Sequence, residues 1–292
     1  MHNSSQDIAK KIVWLASYPK SGNTWFRAFL SALLGDGELN INEMKTDGIF
    51  SSRRIFDSCT DLDSTYLRDD EIKLLQPDVF CNVAAEYEKE RLFIKIHDAY
   101  TYNQVEQPIV PTQASYGALY FIRNPLDIVA SLANHNGSTI DQAITLMNNP
   151  KGCLARQKNN LNVNNQLKQL MFDWSSHVES WTSQKAIPLQ VIRYEDMLKD
   201  PIATFTKAVE FMGIDMNQEA IVKAIEETSF EKLKTQELKA GFKERNKKGS
   251  SFFRSGSAGN WTKELTESQI ESIIAQHMNI MTSYNYCDFK TT

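Results

Sequence analysis

Three groups of residues in this sequence have the types and spacing of an anion-binding catalyst. The first is Tyr18-Pro19-Lys20-Ser21-Gly22-Asn23-Thr24-Trp25. Lys20 supplies a full positive charge, and Ser21 and Thr24 supply hydroxyl donors. Gly22 lets the backbone approach a ligand closely. A helix pattern follows at once, so its unpaired first amides add partial positive charge at the same place. Read from the residues alone, the stretch is a phosphate cradle. The second group is Arg123-Asn124-Pro125, with Ser131 eight positions beyond the arginine. A guanidinium offers phosphate a planar fork, and eight residues make about two helical turns, so Ser131 faces the same strand end. Taken alone, such an arginine is usually a partner in a structural salt bridge. The third group is His97, two positions after Lys95. An imidazole at a strand end suits proton transfer, and it also occurs as a satisfied structural residue.

These groups need elements to hold them. Ile12-Val13-Trp14-Leu15-Ala16 reads as a buried strand, and Trp25, Phe26, Phe29, Leu30, Leu33 and Leu34 recur at helical spacing after it. Further buried strands are expected at Leu92–His97, Gly117–Ile122 and Leu189–Tyr194. His97 and Arg123 then stand at or just past C-terminal strand ends, where ligands collect in open α/β sheets. Helices are expected at Asp69–Leu75, stopped by Pro77, and from Pro125 to about Gly137. Others are expected at Ile140–Met147, Gln166–Gln184, Pro201–Met212, Gln218–Thr228 and Thr266–Met281. Residues 35–64 read as a long connection whose apolar residues either line a pocket or cap the core. Residues 236–259, rich in Gly, Lys and Ser, show no apolar period. Strands alternating with helices predict an α/β fold, a single domain over 11–292 with a central parallel sheet flanked by helices. Residues 1–10 are expected to be disordered.

The composition narrows the function. The chain has 292 residues, enough for one large core, with a net charge of -4. Binding of nucleic acid through bulk charge is therefore not expected. The cysteines, Cys59, Cys81, Cys153 and Cys287, form no C-x-x-C pair, which fits a reducing compartment and argues against structural zinc. No H-E-x-x-H pattern occurs, so no metal is expected. The N-terminus lacks the apolar core of a signal peptide and no run is long enough to span a membrane, so a cytoplasmic location is expected.

The first loop is not a standard P-loop, because the lysine precedes the glycine and the motif's first glycine is missing. YPKSGNTW instead resembles the 5′-phosphosulfate loop of sulfotransferases that use 3′-phosphoadenosine-5′-phosphosulfate (PAPS), usually YPKSGTTW. Asn23 replaces a threonine and keeps a polar, helix-starting side chain. Arg123 to Ser131 matches the family's 3′-phosphate segment, R-N-P-x-D-x-x-x-S. Arg254 to Trp261 is similar to R-K-G-x-x-G-x-W, a loop that closes over the nucleotide, with Arg254, Gly256, Gly259 and Trp261 in place. Ser255 stands where the family has lysine, which implies weaker nucleotide binding unless Lys247 or Lys248 substitutes. Taken alone, this loop reads as a solvated basic segment. Tyr194-Glu195-Asp196-Met197 resembles the family's YEDM, whose tyrosine contacts adenine. Thr228 and Phe230 resemble a second adenine contact, and Trp25 would stack on the base. Each of these aromatics serves a core equally well. Lys95-Ile96-His97 is similar to K-x-H, in which the histidine is the general base. The resemblance covers about residues 12–265.

The resemblance implies a P-loop-like sulfotransferase fold and transfer of a sulfuryl group from PAPS to an acceptor hydroxyl. The products are a sulfate ester and adenosine 3′,5′-bisphosphate (PAP). Lys20 would neutralise the leaving 5′-phosphate, Lys95 hold the sulfuryl oxygens, and His97 take the acceptor proton. Ser131 would tie the 3′-phosphate and help position Lys20. The acceptor, a small-molecule or carrier-bound hydroxyl, would meet loops 35–65, 98–115 and 138–165. The family's dimer motif, K-x-x-x-T-V-x-x-x-E, keeps Thr266 here but not its lysine or valine, so a monomer or a dimer through another surface is expected. Two other classes compete: a P-loop-type nucleotide kinase, which needs a Mg²⁺-binding carboxylate, and a non-catalytic nucleotide-binding protein.

Overall fold

A computed structural model describes residues 9–35, 37–155, 164–246 and 248–287. The stretch 1–10 therefore lies outside the described residues but for its last two, and Lys247 lies outside them as well. The centre of the structure is a parallel sheet in the order β2-β1-β3-β6. Its strands are β1 (Ile12–Ser17), β2 (Leu92–Ile96), β3 (Ser115–Ile122) and β6 (Leu189–Arg193). A short antiparallel pair, β4 (Cys153–Leu154) and β5 (Gln169–Leu170), stands apart from it. Every residue of β1 is buried, which explains its unbroken apolar run. Ile12, Trp14 and Ala16 enter one core, and Val13 and Leu15 enter a second core on the other face. A strand covered on both faces has no polar side to alternate with.

Twelve helices, together with a 3-10 turn at Ser64–Tyr66, complete the described chain. They are α1 (Asn23–Leu33), α2 (Arg53–Thr60), α3 (Asp69–Glu86), α4 (Pro125–Asn136), α5 (Ile140–Met147) and α6 (Trp174–Ser183). Then follow α7 (Tyr194–Lys199), α8 (Pro201–Phe211), α9 (Gln218–Glu227), α10 (Phe230–Ala240), α11 (Trp261–Glu264) and α12 (Glu267–Ser283). Side chains of α1, α8 and α9 form the core around Val13 and Leu15, with the Phe29 and Phe205 rings stacked 4.4 Å apart. Side chains of α3, α4, α6 and α12 fill the other core around Trp14.

Several expectations change. Pro77 does not end α3, which runs on to Glu86 with the proline inside it. A proline there leaves the Lys73 carbonyl without its helical donor. The side-chain amide of Asn103 supplies a replacement at 3.5 Å, and Val79, Phe80 and Ala84 beyond the proline bury against the core. The helix expected from Gln166 begins only at Trp174, because Asp173 caps it by accepting from the Ser176 amide at 3.0 Å. Leu170 belongs instead to β5. Helix α10 reaches into the stretch that shows no apolar period. Its sequence has few apolar residues, and it is fixed by Leu233 and by Gln236, which binds the backbone of Leu39 and Ile41 at 3.0 and 3.1 Å. Helix α2 lies within the long connection, capped by Ser52.

Candidate active site

The C-terminal ends of β1, β2 and β3 open into a cavity of about 700 Å³. The loop from Tyr18 to Gly22 joins β1 to α1 and forms part of its wall. Gly22 is the N-cap of α1 at φ 98, and a Cβ there would stand 2.7 Å from the Tyr194 ring. Conformation and space therefore both demand glycine. Helix α1 has no side-chain cap and no acidic residue in its first turn, so its first amides are left for a ligand. Lys20 adopts a left-handed φ of 72, uncommon for a residue with a Cβ. Its ammonium lies 4.1 Å from the centre of the Phe252 ring. Burial, then the nearby Lys95 and Arg123 charges, pull the Lys20 pKa down to about 8.

Arg123 is only 8% exposed. Its guanidinium lies 4.2 Å from the centre of the Tyr194 ring and donates to the carbonyls of Lys20 and Ser257 at 3.3 and 3.2 Å. Its Nε has no partner, and among the described residues no carboxylate pairs with it. The salt-bridge alternative therefore fails. A buried cation held by carbonyls alone still lacks its anion. Ser131, one face of α4 further on, lines the same cavity.

His97 follows β2 and lines the cavity as well. Its Nδ1 lies 2.8 Å from the carbonyl oxygen of Ser17, which only accepts, so Nδ1 carries the hydrogen. Nε2 then keeps its lone pair. Burial, followed by the Lys95 charge, holds the His97 pKa well below 6.5, so the imidazole is neutral at pH 7.

The remaining expected residues divide. Lys95, Thr24, Trp25, Tyr194, Phe230, Ser255 and Gly256 all line the cavity. Gly256 sits at φ 61 directly beneath the Phe230 ring. Arg254 also lines it, but its guanidinium is forked onto Glu264 at 2.6 and 2.9 Å rather than left for a phosphate. Asn23 points its side chain away from the helix start: Nδ2 donates to the Leu15 carbonyl at 2.8 Å and to Ser17 Oγ at 3.2 Å. Only its position at the cavity wall agrees with expectation. Two side chains are not brought in. Ser21 is fully buried, its hydroxyl unpartnered among the described residues. Thr228 is fully buried, donates to the Ala224 carbonyl at 2.8 Å, and accepts the Trp25 indole N–H on its own carbonyl at 3.0 Å. Lys248 lies outside the cavity wall, where Lys243 stands instead.

Three features escaped the sequence reading. Arg27, two positions past Trp25, is 4% exposed and forks onto Glu244, which in turn reaches Lys95 at 3.4 Å. His135 lines the cavity, its pKa lowered to about 4 by burial and by Lys20 and Lys95. Glu237 of α10 accepts the amides of Phe252 and Phe253 at 2.7 and 2.9 Å, and so holds Phe252 over Lys20. No motif spacing along the chain signals any of the three, because each depends on segments that meet only in the fold. Of the loops expected to meet the acceptor, 35–65 and 138–165 contribute Thr46, Gly48, Ile49 and Leu154 to the cavity wall, joined by Gln166 and Gln169. No residue of 98–115 lines the cavity, which corrects that expectation. Residues 156–163 lie outside the described ones.

An α/β sheet that ends in a polycationic cavity beside a neutral imidazole suits an enzyme that works on an anionic ligand. The chain belongs to the sulfotransferase family: residues 10–281 match its sulfotransferase domain. It is 24% identical over 277 residues to the luciferin sulfotransferase of Photinus pyralis, covering 90% of this chain and 70% of that protein. It is 25% identical over 271 residues to the flavonol 3-sulfotransferase of Flaveria bidentis, covering 89% of this chain and 78% of that one. The fold is that of a mouse sulfotransferase crystallised with PAP, at 19% identity and a TM-score of 0.57, over 96% of this chain and 90% of the other. A retinol dehydratase in complex with androsterone and PAP matches at 19% identity and a TM-score of 0.60, over 96% and 82%. Family membership sets the kinase and the non-catalytic alternatives aside. No helix among the described residues is long and apolar enough to cross a membrane.

Proposed function

We propose that the cavity binds PAPS through the β1–α1 loop and Arg123, and that His97 deprotonates a small-molecule hydroxyl for in-line sulfuryl transfer. One observation carries this reading: Lys20, Arg123 and His97 belong to the wall of a single cavity. Solved relatives in complex with PAP, and one with retinol and PAP, support the choice of ligands. Gly22 and the amides of α1 fit a phosphate at close range, and the orphaned Arg123 fits a second phosphate. Lys20 neutralises charge on the leaving 5′-phosphate, and Lys95 faces the transferred group. Ser131 lies where it can donate to the 3′-phosphate. Tyr194, Phe230 and Trp25 border the place for the purine. The oxygen that attacks loses its proton to His97 Nε2, while Nδ1–H stays on Ser17.

The scattered free cysteines support a cytoplasmic location. Thr266 is spent as the N-cap of α12, which supports a monomer or a dimer through another face.

The pH dependence has a definite sign. Lys20 acts as a cation, so kcat/KM for PAPS holds below about pH 8 and falls as pH rises through the Lys20 pKa. His97, its pKa held well below 6.5 by burial and then by the Lys95 charge, adds no acid limb near neutrality. A rate that keeps rising past pH ~9 removes Lys20 as the charge that matters.

The function itself is tested with ³⁵S-labelled PAPS, a panel of phenols, alcohols and sugars, and EDTA present throughout. Transfer to at least one acceptor is expected to persist with EDTA. His97→Ala is expected to lose ~10²–10⁴-fold in rate while still binding PAP. Turnover by His97→Ala equal to that of wild type takes the base away from His97. Activity lost to EDTA and restored by Mg²⁺ contradicts the metal-free mechanism.

A further inference from the structure

The family motifs account for Lys95 but not for the carboxylate that grips it. Glu244 follows α10 on the segment 241–256, which also carries Phe252 over Lys20 and Gly256 under Phe230. One oxygen of Glu244 meets Arg27 Nη2, and the other meets Arg27 Nη1 at 3.2 Å and Lys95 Nζ at 3.4 Å. Arg27 comes from α1, directly behind the phosphate cradle, and Lys95 from β2. Arg27, Lys95 and Glu244 all line the cavity. Arg27 is 95% buried by its side chain, whereas the Glu244 side chain is 32% exposed. The fork with Arg27 therefore fixes the carboxylate on a rigid element, and Lys95 is the looser third member.

We propose that Glu244 is a positioning residue for sulfuryl transfer, holding Lys95 as a cation at the end of β2 through a carboxylate that Arg27 anchors. The proposal rests on the sulfotransferase reading of the cavity. Without a counter-charge, a buried lysine beside Arg27 and Lys20 either turns away or sheds its proton. With it, Lys95 keeps its charge and its place before the donor arrives, and no reorganisation is needed at the moment of transfer. The same contact ties Glu244, and with it the chain that leads to Phe252, to the end of β2.

A double-mutant cycle tests this, with ³⁵S-PAPS as donor and whichever acceptor wild type turns over best. Glu244→Gln keeps the volume and removes the charge. In the wild-type background it is expected to lower kcat about 10- to 100-fold, and in the Lys95→Met background less than about threefold. Glu244→Asp keeps the charge at longer reach and is expected to recover at least about a third of the activity lost. Equal losses in both backgrounds make Glu244 a structural strut and overturn the proposal, as does full activity in Glu244→Gln. Should Glu244→Gln not fold, the cycle is read with Glu244→Asp, whose smaller loss must likewise vanish in the Lys95→Met background. Failure of the sulfotransferase reading is distinguishable, because wild type itself would then transfer no label.

Discussion

Lys20→Ala is expected to lower kcat by about 10²–10³-fold without loss of thermal stability. The two halves of that result have one cause. Lys20 is desolvated in a left-handed turn, with Lys95 and Arg123 as neighbours, and its pKa is pulled down to about 8. Its charge is a burden to the folded protein in the absence of an anion, so removing it costs the fold nothing. In the proposed transfer step the same charge would face the negative charge developing on the leaving phosphate, where a full positive charge stabilises more than the neutral α1 amides do. The Phe252 ring, 4.1 Å from the ammonium, lines the same cavity as Lys20. Steady-state turnover and a melting curve on the same preparation check both halves. Turnover within about tenfold of wild type would remove Lys20 from the chemistry, since such a loss is only about 1.4 kcal/mol.

The second large effect is discrimination by the 3′-phosphate. PAP is expected to bind ~10- to 10⁴-fold more tightly than adenosine 5′-phosphate, and Arg123→Ala is expected to erase most of that gap. Each charged hydrogen bond contributes ~1.5–3 kcal/mol, and 1.4 kcal/mol is a decade in affinity. Arg123 carries more of the burden than its motif implies, because Arg254 is already forked onto Glu264 and Ser255 offers no charge. The guanidinium is buried, held by two carbonyls, with Nε unpaired. Calorimetry with the two nucleotides measures the gap directly. Equal affinities in wild type would exclude the 3′-phosphate site and the PAPS donor with it.

The sheet was legible in the sequence because β1, β2, β3 and β6 are local apolar runs, and burial on both faces leaves the same mark wherever such a strand lies. Pro125 at the start of α4 was legible for a similar reason: it acts within one turn of chain. Where the rule was local but the outcome was tertiary, the expectation failed. Pro77 stays inside α3 because Asn103, from a distant loop, supplies the missing donor. Helix α10 forms on few apolar residues because Gln236 and Glu237 bind backbone elsewhere.

The site divides along the same line. The chain by itself determined the phosphate cradle, Arg123 with Ser131, and His97 after Lys95, because each is a short motif whose geometry one strand end and one helix start dictate. Tertiary structure alone decided the protonation and pairing of those groups. The Ser17 carbonyl sets the tautomer of His97, eighty positions away, and burial strips its charge. Glu264 takes up the Arg254 guanidinium, Asn23 turns back to β1, and Glu244 joins Arg27 to Lys95 across 149 positions of chain. Motif spacing encodes where a side chain begins. Charge, tautomer and hydrogen-bond partner depend on what desolvates that side chain and what it meets, and both are supplied by segments far away in sequence.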